Sequence, residues 1–332
     1  MKNKQVVMEV ENLVKHFPLR QTLTGRLKGK QQPVVKAVDG ISLQIKKSEI
    51  LGLVGESGSG KTTAGRVMIK LIEPTGGSIR YQGVDITGFT DEKMKYFRRK
   101  IQIVFQDPYD AMNPRMNVFD IVAEPLVIQK VAGRENETEA LVETALAEVD
   151  LTPVEEYTGR YPHELSGGQR QRAALARALV LNPEFIVADE PVSMLDVSIR
   201  GGILNLMLNL TRERGVSFLY ITHDLATARH ICDRVAVMYL GKIVEQGFID
   251  DVIKKPRHPY TQALIRAVLV PNPEERRIDP GMKGEITSAV DIPTGCRLHP
   301  RCPRAAGICR EKEPEVVKSG AGHQVLCHFP GE

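Results

Sequence analysis

The chain has 332 residues, of which 42% are apolar and 26% charged, and its formal net charge is +4. This composition is typical of globular proteins, and so small a charge excess argues against nucleic acid or an anionic membrane surface as a partner. The sequence has no run of about 18 apolar residues and no signal-peptide core at its N-terminus, which predicts a chain kept in the cytosol.

The first part of the chain predicts strands on either side of a solvated loop. Strands are expected over 6–14 and 37–46, and between them lies a polar, basic segment, PLRQTLTGRLKGKQQP. A short apolar run, EILGLVG, predicts a buried strand over 49–55 that leads into a helix from about Thr63. Turn residues around Pro74 end this helix.

The second part predicts alternating helices and strands. Helices are expected over 117–149 (with a break near Gly133), after Ser166, over 199–213 and over 225–233, and strands over 184–189, over 216–222, in RVAVMYL and in KIVEQ. This alternation favours a mainly parallel α/β sheet, with residues 110–165 as a helical insertion. Proline content rises past about 256, which predicts a domain boundary there.

The turn after the 49–55 strand has the pattern of a phosphate-binding loop, G-x-x-x-x-G-K-[ST]. Its backbone N–H groups and the N-terminus of the following helix favour phosphate oxygens. The Lys61 side chain then reaches the β- and γ-phosphates, and the Thr62 hydroxyl holds Mg²⁺. We therefore expect ATP to be bound by Gly55, Glu56, Ser57, Gly58, Ser59, Gly60, Lys61, Thr62 and Thr63.

The segment FIVADE supplies two carboxylates at the end of an apolar strand. Asp189 is expected in the Mg²⁺ shell. Glu190, next to it, is expected to orient and deprotonate the attacking water, a contribution on the order of 10²–10⁴ in rate.

Several further motifs resemble those of ATP-binding-cassette (ABC) ATPases. LSGGQ resembles their signature motif, Gln106 in VFQDP their Q-loop, SMLD their D-loop (with Met194 where Ala is common) and His223 in ITHD their switch histidine. Phe17 lies where the family places an aromatic ring that stacks on adenine. The signature residues are Leu165, Ser166, Gly167, Gly168 and Gln169, and the D-loop residues are Ser193, Leu195 and Asp196.

The resemblance implies an α/β fold: a P-loop NTPase (RecA-like) core with an antiparallel β subdomain and a helical ABC subdomain. We expect this nucleotide-binding domain over 1–255, with the helical subdomain at about 107–180, and a small Cys-rich extension over 256–332. Catalysis is assigned to Glu190, His223 and Gln106, and Mg²⁺ to Thr62, Gln106 and Asp189. The signature of one subunit is expected to close over the ATP held by its partner.

Four segments resemble the subfamily that powers dipeptide and oligopeptide importers: VFQDPYDAMNPRM, DEPVSMLDVSI, RHPYTQALIRAV and GCRLHPRC. This implies a second ATPase subunit in a heterodimer, two transmembrane permeases and an extracytoplasmic peptide-binding protein. The chain would lie peripherally on the cytoplasmic face of the inner membrane. Nickel and small sugars are alternative cargoes, because relatives of this subfamily serve them.

Two other ABC classes are less consistent with the sequence. DNA-maintenance ATPases carry long coiled-coil or zinc-module insertions, and residues 62–165 are too short and irregular for heptads. Cassette-type translation factors carry two cassettes in one chain, and this chain has one.

Four of the five cysteines cluster near the C-terminus with the spacing C-x5-C-x6-C-x17-C: Cys296, Cys302, Cys309 and Cys327. Four thiolates bind zinc or an iron–sulfur cluster, although the C-x2-C pairs of zinc ribbons are absent, and free or disulfide-bonded thiols are a further alternative. The family resemblance implies a structural 4Fe-4S cluster. Cys232 stands alone in an amphipathic stretch, which predicts a buried thiol.

Overall fold

The structure is a computed structural model that describes residues 5–19, 32–131, 135–267, 281–282, 284, 289–319 and 322–331. Most of the predicted basic loop, residues 20–31, lies outside these ranges. The chain divides into two compact units: the first contains Met1–Met8, Ile45–Ile50 and Tyr81–Ile221, and the second Glu9–Gln44, Leu51–Arg80 and Thr222–Glu332. Within the described ranges, no helix combines the length and apolarity needed to cross a membrane.

The described strands and helices alternate through most of the chain. The strands are β1 (Val6–Pro18), β2 (Val34–Lys46), β3 (Ile50–Val54), β4 (Gly76–Tyr81), β5 (Val84–Asp85), β6 (Ile101–Val104), β7 (Phe185–Asp189), β8 (Ser217–Thr222), β9 (Arg234–Tyr239), β10 (Lys242–Phe248), β11 (Val316–Ser319) and β12 (His323–Leu326). The helices are α1 (Lys61–Met68), α2 (Asp91–Lys100), α3 (Pro108–Ala111), α4 (Val118–Gln129), α5 (Glu135–Glu148), α6 (Glu155–Thr158), α7 (Gly167–Leu179), α8 (Val197–Glu213), α9 (Leu225–Ile231), α10 (Ile249–Lys254), α11 (Pro259–Ala267) and α12 (Gly307–Glu311).

The first unit is built on a parallel sheet with the strand order β8-β7-β6. Every residue of β7 and β8 is buried, as their near-continuous apolar sequences require in a sheet covered on both faces. The register pairs Asp189 with Ile221, so the carboxylate lies at the end of its strand. Helices α4 and α5 pack against α7, and an ion pair of 2.8 Å joins Arg177 to Glu124.

The second unit combines parallel and antiparallel strand pairs in the order β11-β12-β10-β9-β3. Strands β3 and β9 are parallel, and β9 turns back through Leu240 and Gly241 into antiparallel β10, which confirms the strands predicted in RVAVMYL and KIVEQ. The C-terminal segment, the part of the chain from residue 256 onward, adds two more strands. Strand β12 is antiparallel to β10, with Glu245 opposite Val325, and β11 is antiparallel to β12. Strands β2, β1 and β4 lie side by side in this unit.

The mixed α/β fold predicted from the sequence is confirmed, with several local differences. Helix α1 ends at Met68, earlier than expected, and the positive φ of 57° at Lys70 is incompatible with its continuation. The strands β4 and β6, the helix α2 and the hairpin of β11 and β12 were not predicted from the sequence. The lone Cys232 is buried as predicted, and burial followed by the charge of Asp233 raises the pKa of its thiol.

Candidate functional site

The predicted phosphate loop follows β3 and opens α1, as its pattern requires. Two of its glycines are needed because the backbone passes very close to other strands. A Cβ atom on Gly55 would lie 2.2 Å from the carbonyl oxygen of Met238, and one on Gly60 would lie 1.9 Å from that of Ala37. Gly60 also has a φ of 103°, which side-chain-bearing residues rarely adopt.

The Lys61 side chain is buried within the curve of this loop. Its Nζ donates to the carbonyl oxygens of Gly55, at 2.8 Å, and Glu56, at 2.9 Å. In the described part of the chain, the buried Ser59 hydroxyl has no hydrogen-bond partner. The N-cap of α1 is Gly60, which has no side chain to cap the first turn. A buried ammonium, an unsatisfied hydroxyl and an uncapped helix start together fit an anionic ligand such as a nucleotide phosphate.

The remaining loop residues frame this site. Ser57 and Gly58 are exposed at the tip of the loop, and Thr62 and Thr63 are half-buried in the first turn of α1. Thr62 therefore lies where a hydroxyl can serve as a ligand of Mg²⁺ beside a bound phosphate.

The candidate base, Glu190, is held in an unusual backbone conformation in the first unit. Its φ is 46°, and its N–H donates to the carbonyl oxygen of Ile221 at 2.9 Å. Its own carbonyl accepts from the Ser193 hydroxyl at 3.0 Å and from the Ser193 N–H at 3.2 Å. Asp189 is 1% exposed at the end of β7. These bonds fix the direction in which Glu190 leaves the strand.

The structure brings the Q-loop glutamine to this carboxylate. Gln106 Nε2 donates to Glu190 Oε2 at 3.2 Å. The two residues are 84 positions apart in sequence, and the fold brings their side chains together.

The signature motif caps α7 and presents its serine to solvent. The N–H of Ser166 donates to Gln169 Oε1 at 2.9 Å, and the N–H of Gln169 donates to the Ser166 hydroxyl at 3.3 Å. This capping box holds the start of the helix. Leu165 is buried, and Gly167 and Gly168 approach the next segment closely: a Cβ atom on Gly168 would lie 2.6 Å from Ile199 Cγ2.

The D-loop connects Glu190 to α8. Leu195 is buried and its carbonyl accepts from Arg200 Nε at 2.9 Å, while Asp196 is the N-cap residue of α8. The neighbouring Met194 and Val197 are exposed. The D-loop is therefore held in place by Leu195 and exposes apolar side chains to solvent.

His223 and Phe17 lie in the second unit. His223 follows β8 in an exposed bend, and the next residue, Asp224, accepts from the N–H of Ala226 at 2.8 Å to cap α9. Phe17, near the end of β1, is 36% exposed, and Lys15 Nζ lies 5.0 Å from its ring centroid. The Phe17 ring is therefore partly accessible to solvent and carries a cation at its face.

The predicted iron–sulfur cluster is wrong. Although Cys296, Cys302, Cys309 and Cys327 line one cavity, its volume is only about 10 Å³. In the part of the chain that the structure describes, no group of three or more His, Cys, Asp or Glu side chains is placed to hold a metal ion, and the alternative of zinc is likewise unsupported. Burial raises the pKa of Cys296 to about 11 and also raises the pKa values of Cys302 and Cys327.

Two residues without a role predicted from the sequence contact the phosphate loop. The Tyr260 hydroxyl accepts from the N–H of Glu56 at 2.8 Å, and Arg301 forms an ion pair with the carboxylate of Glu56 at 2.9 Å. Tyr260 lies in RHPYTQALIRAV and Arg301 in GCRLHPRC, two segments that resemble the peptide-importer subfamily. That resemblance gave no indication that either residue contacts the phosphate loop.

Known proteins resemble this chain over its whole length. The family model described as ABC transporter matches residues 38–193, and that of the oligopeptide/dipeptide transporter C-terminal region matches residues 244–309. The chain is 47% identical to the oligopeptide transport ATP-binding protein AppF of Bacillus subtilis over 98% of both chains. It is 44% identical to the dipeptide transport ATP-binding protein DppF of Escherichia coli, over 98% of this chain and 94% of that protein.

A solved structure supports the fold. A dimeric ATP-binding cassette bound to ADP and Pi in a post-hydrolysis state superposes with a TM-score of 0.64 and 27% identity, covering 73% of this chain and 98% of that one. These matches confirm the resemblance that the motifs indicated. The chain belongs to the ABC transporter ATP-binding family, in the branch whose members carry the oligopeptide/dipeptide transporter C-terminal region.

Proposed function

We propose that this chain is the ATP-hydrolysing subunit that energises an importer of di- and oligopeptides. The observation that carries this proposal is its 47% identity, over nearly the full chain, with an oligopeptide transport ATP-binding protein. The sequence also contains the phosphate loop, Q-loop, signature, D-loop and switch-histidine motifs that resemble those of the family. Nickel and small sugars remain the alternative cargoes, since the ATPase subunit does not itself contact the cargo.

The catalytic roles follow from the chemistry of each side chain. Glu190 is the general base that orients and deprotonates the attacking water, and the amide of Gln106 orients its carboxylate. His223 contacts the γ-phosphate after the site closes. The phosphates are bound by Lys61 and by N–H groups of the Gly55–Thr62 turn other than that of Glu56, which is bonded to Tyr260, and the adenine stacks on Phe17.

Mg²⁺, when bound, neutralises charge on the β- and γ-phosphates. The hydroxyl of Thr62, the amide oxygen of Gln106 and the carboxylate of Asp189 are the oxygen donors that this ion prefers. Burial of Asp189 keeps its carboxylate close to the strand end.

The exposed signature of this chain is proposed to act on the ATP of a partner. Ser166 at the start of α7 offers a second anion-binding helix terminus, and one nucleotide does not need two. A second ATPase subunit, in a heterodimer, would complete the two-ATP sandwich, with Ser193, Leu195 and Asp196 of the D-loop between the two sites. Two permeases and an extracytoplasmic peptide-binding protein complete the transporter, with this chain on the cytoplasmic face of the inner membrane.

The domain organisation is likewise proposed to follow the family. The nucleotide-binding domain covers 1–255, with its RecA-like core, antiparallel β subdomain and helical subdomain at about 107–180. The extension covers 256–332 and contains the four clustered cysteines. The match of the C-terminal family model to residues 244–309 supports this division.

Reconstitution tests the function directly. The chain is assembled with its permeases, partner ATPase and binding protein in liposomes, and uptake of a labelled dipeptide and ATP hydrolysis are measured together. Peptide-dependent hydrolysis that is lost in the Glu190→Gln variant is expected. Uptake of nickel or a small sugar in place of peptide would overturn the cargo and keep the ATPase role.

A further inference from the structure

All polar groups of Glu56, in the phosphate loop, form hydrogen bonds. Two of its partners, Tyr260 and Arg301, belong to the C-terminal segment. Its N–H donates to the Tyr260 hydroxyl at 2.8 Å, and its carboxylate oxygens accept from Arg301 at 2.9 and 3.3 Å. Its carbonyl oxygen accepts from Lys61 Nζ at 2.9 Å. One residue thus joins the C-terminal segment to the lysine that is assigned to the phosphates.

Tyr260 is itself rigidly placed. It is 1% exposed, and its ring packs against that of Tyr239 with 4.7 Å between centroids. Its backbone N–H donates to His258 Nδ1 at 3.2 Å. The buried carboxylate of Glu245, in β10, accepts from the N–H of His258 at 3.0 Å. The hydroxyl that meets Glu56 is therefore held by the interior of the second unit, which leaves it little freedom to move.

Arg301 contributes a charged and directional contact. It is 8% exposed, and its planar guanidinium meets both oxygens of the Glu56 carboxylate. Bidentate pairs of this kind are stronger and more directional than bonds between neutral groups, and a lysine cannot reproduce their geometry. Burial alone would lower the pKa of Arg301, but its pairing with Glu56 outweighs burial and raises it.

We propose that Tyr260 and Arg301 are positioning residues that hold the phosphate loop, through Glu56, in the shape that binds ATP. The C-terminal segment thereby sets the nucleotide affinity of the cassette. This proposal depends on the assignment of Gly55–Thr62 as the phosphate loop. Neither residue contacts the assigned catalytic groups, so the effect falls on ATP binding, and hydrolysis of bound ATP is preserved.

The test compares Tyr260→Phe and Arg301→Gln in the full-length chain, with ATP affinity measured by equilibrium dialysis and kcat and KM measured in the assembled transporter. Losing one neutral hydrogen bond is expected to weaken ATP binding about 3- to 10-fold, and losing the charged pair about 10- to 100-fold. In both variants KM for ATP rises and kcat changes less than about twofold. Arg301→Lys, which keeps the charge without the fork, is expected to give an intermediate affinity.

Two matched controls separate positioning from general loss of stability. Tyr81→Phe removes another buried tyrosine hydroxyl contact, the one with Glu184 at 3.1 Å, and Glu313→Gln breaks an ion pair of 2.8 Å between the C-terminal segment and Lys242. Both are expected to keep the ATP affinity of the unmodified chain. An equal loss of affinity in these controls would overturn the positioning role. The double variant Glu56→Gln, Arg301→Gln is expected to bind ATP no more weakly than the more affected of the two single variants, because each substitution removes the same contact.

Lys61→Ala distinguishes failure of this inference from failure of the site assignment. If Lys61→Ala loses ATP binding while Tyr260→Phe and Arg301→Gln retain it, the positioning role is overturned and the phosphate loop stands. If all three bind ATP normally, the assignment of the loop falls as well.

Discussion

The amide of Gln106 donates a hydrogen bond to the carboxylate of Glu190, with 3.2 Å between Nε2 and Oε2. The carboxylate belongs to a residue with a φ of 46°, whose backbone is fixed by Ser193 and Ile221. The backbone therefore fixes the position from which the Glu190 side chain extends, and Gln106 fixes the orientation of its carboxylate oxygens.

Glu190→Gln should separate ATP binding from hydrolysis. The amide is nearly isosteric with the carboxylate but cannot accept a proton from water. We expect ATP affinity close to that of the unmodified chain and turnover lower by at least about 10²-fold. Steady-state ATPase assays and ATP titrations of the same preparation check both quantities. Near-normal turnover would remove Glu190 from the role of base.

Lys61→Ala should act on binding. The buried Nζ is bonded to the carbonyl oxygens of Gly55 and Glu56, and removing it takes away both the positive charge and two contacts within the loop. We expect ATP affinity to fall by at least about tenfold, the effect of losing a charge-assisted hydrogen bond. Lys15→Ala, a matched loss of a lysine beside Phe17, should change affinity less, and equal effects would contradict the assigned role of Lys61.

Gly168→Ala should destabilise the contact between α7 and α8. The new methyl group would lie 2.6 Å from Ile199 Cγ2, closer than carbon atoms approach. We expect a loss of about 1–3 kcal/mol in the free energy of unfolding, measured by urea denaturation. Adding Ile199→Ala removes the clashing carbon. The double variant should therefore lose less free energy of unfolding than the sum of the losses in the two single variants. Additive losses would show that the clash is not the cause.

His258 should make the stability of the protein depend on pH. Burial lowers the pKa of its imidazole to about 3, despite a hydrogen bond with the backbone at Leu326 that acts in the opposite direction. In the unfolded chain the pKa is about 6.5, so between these values only the unfolded state binds the proton. Its contribution is fully present above about pH 6.5 and is lost as the pH falls towards 3. From pH 7 to 5 this loss is about 2 kcal/mol.

The measurement is the free energy of unfolding at pH 7 and pH 5 for the unmodified chain and for His258→Gln. The variant should lose less stability between the two pH values, whatever its absolute stability. His230→Gln, at an exposed position, should retain the pH dependence of the unmodified chain. An unchanged pH dependence in His258→Gln would contradict the prediction.

Motifs that are contiguous in sequence could be predicted, because their function depends on local backbone geometry. The phosphate loop needs a strand, close-packed glycines and a helix start, and all three are encoded between residues 49 and 68. The signature could be read in the same way, because the capping box of Ser166 and Gln169 is itself local. The strand–helix alternation between residues 184 and 239 was correct for a similar reason: buried parallel strands are continuous apolar runs.

Contacts between distant segments could not be predicted in this way. Tyr260 and Arg301 lie 204 and 245 positions from Glu56, and no spacing rule relates them. The prediction of a metal site at the four clustered cysteines was wrong for a different reason. Spacing along the sequence does not fix where the side chains lie in three dimensions, and metal binding depends on that placement. In the described part of the chain, no group of three or more His, Cys, Asp or Glu side chains is placed to hold a metal ion.

The order of synthesis gives the contacts of Glu56 a further consequence. The ribosome completes the phosphate loop long before it reaches Arg301, 245 positions later. A nascent or prematurely terminated chain can therefore contain every ATP-site motif while the contacts of Glu56 with Tyr260 and Arg301 are still missing. Segments translated after all the ATP-site motifs complete the contacts of the phosphate loop, so chains truncated before residue 260 differ physically at the nucleotide site itself.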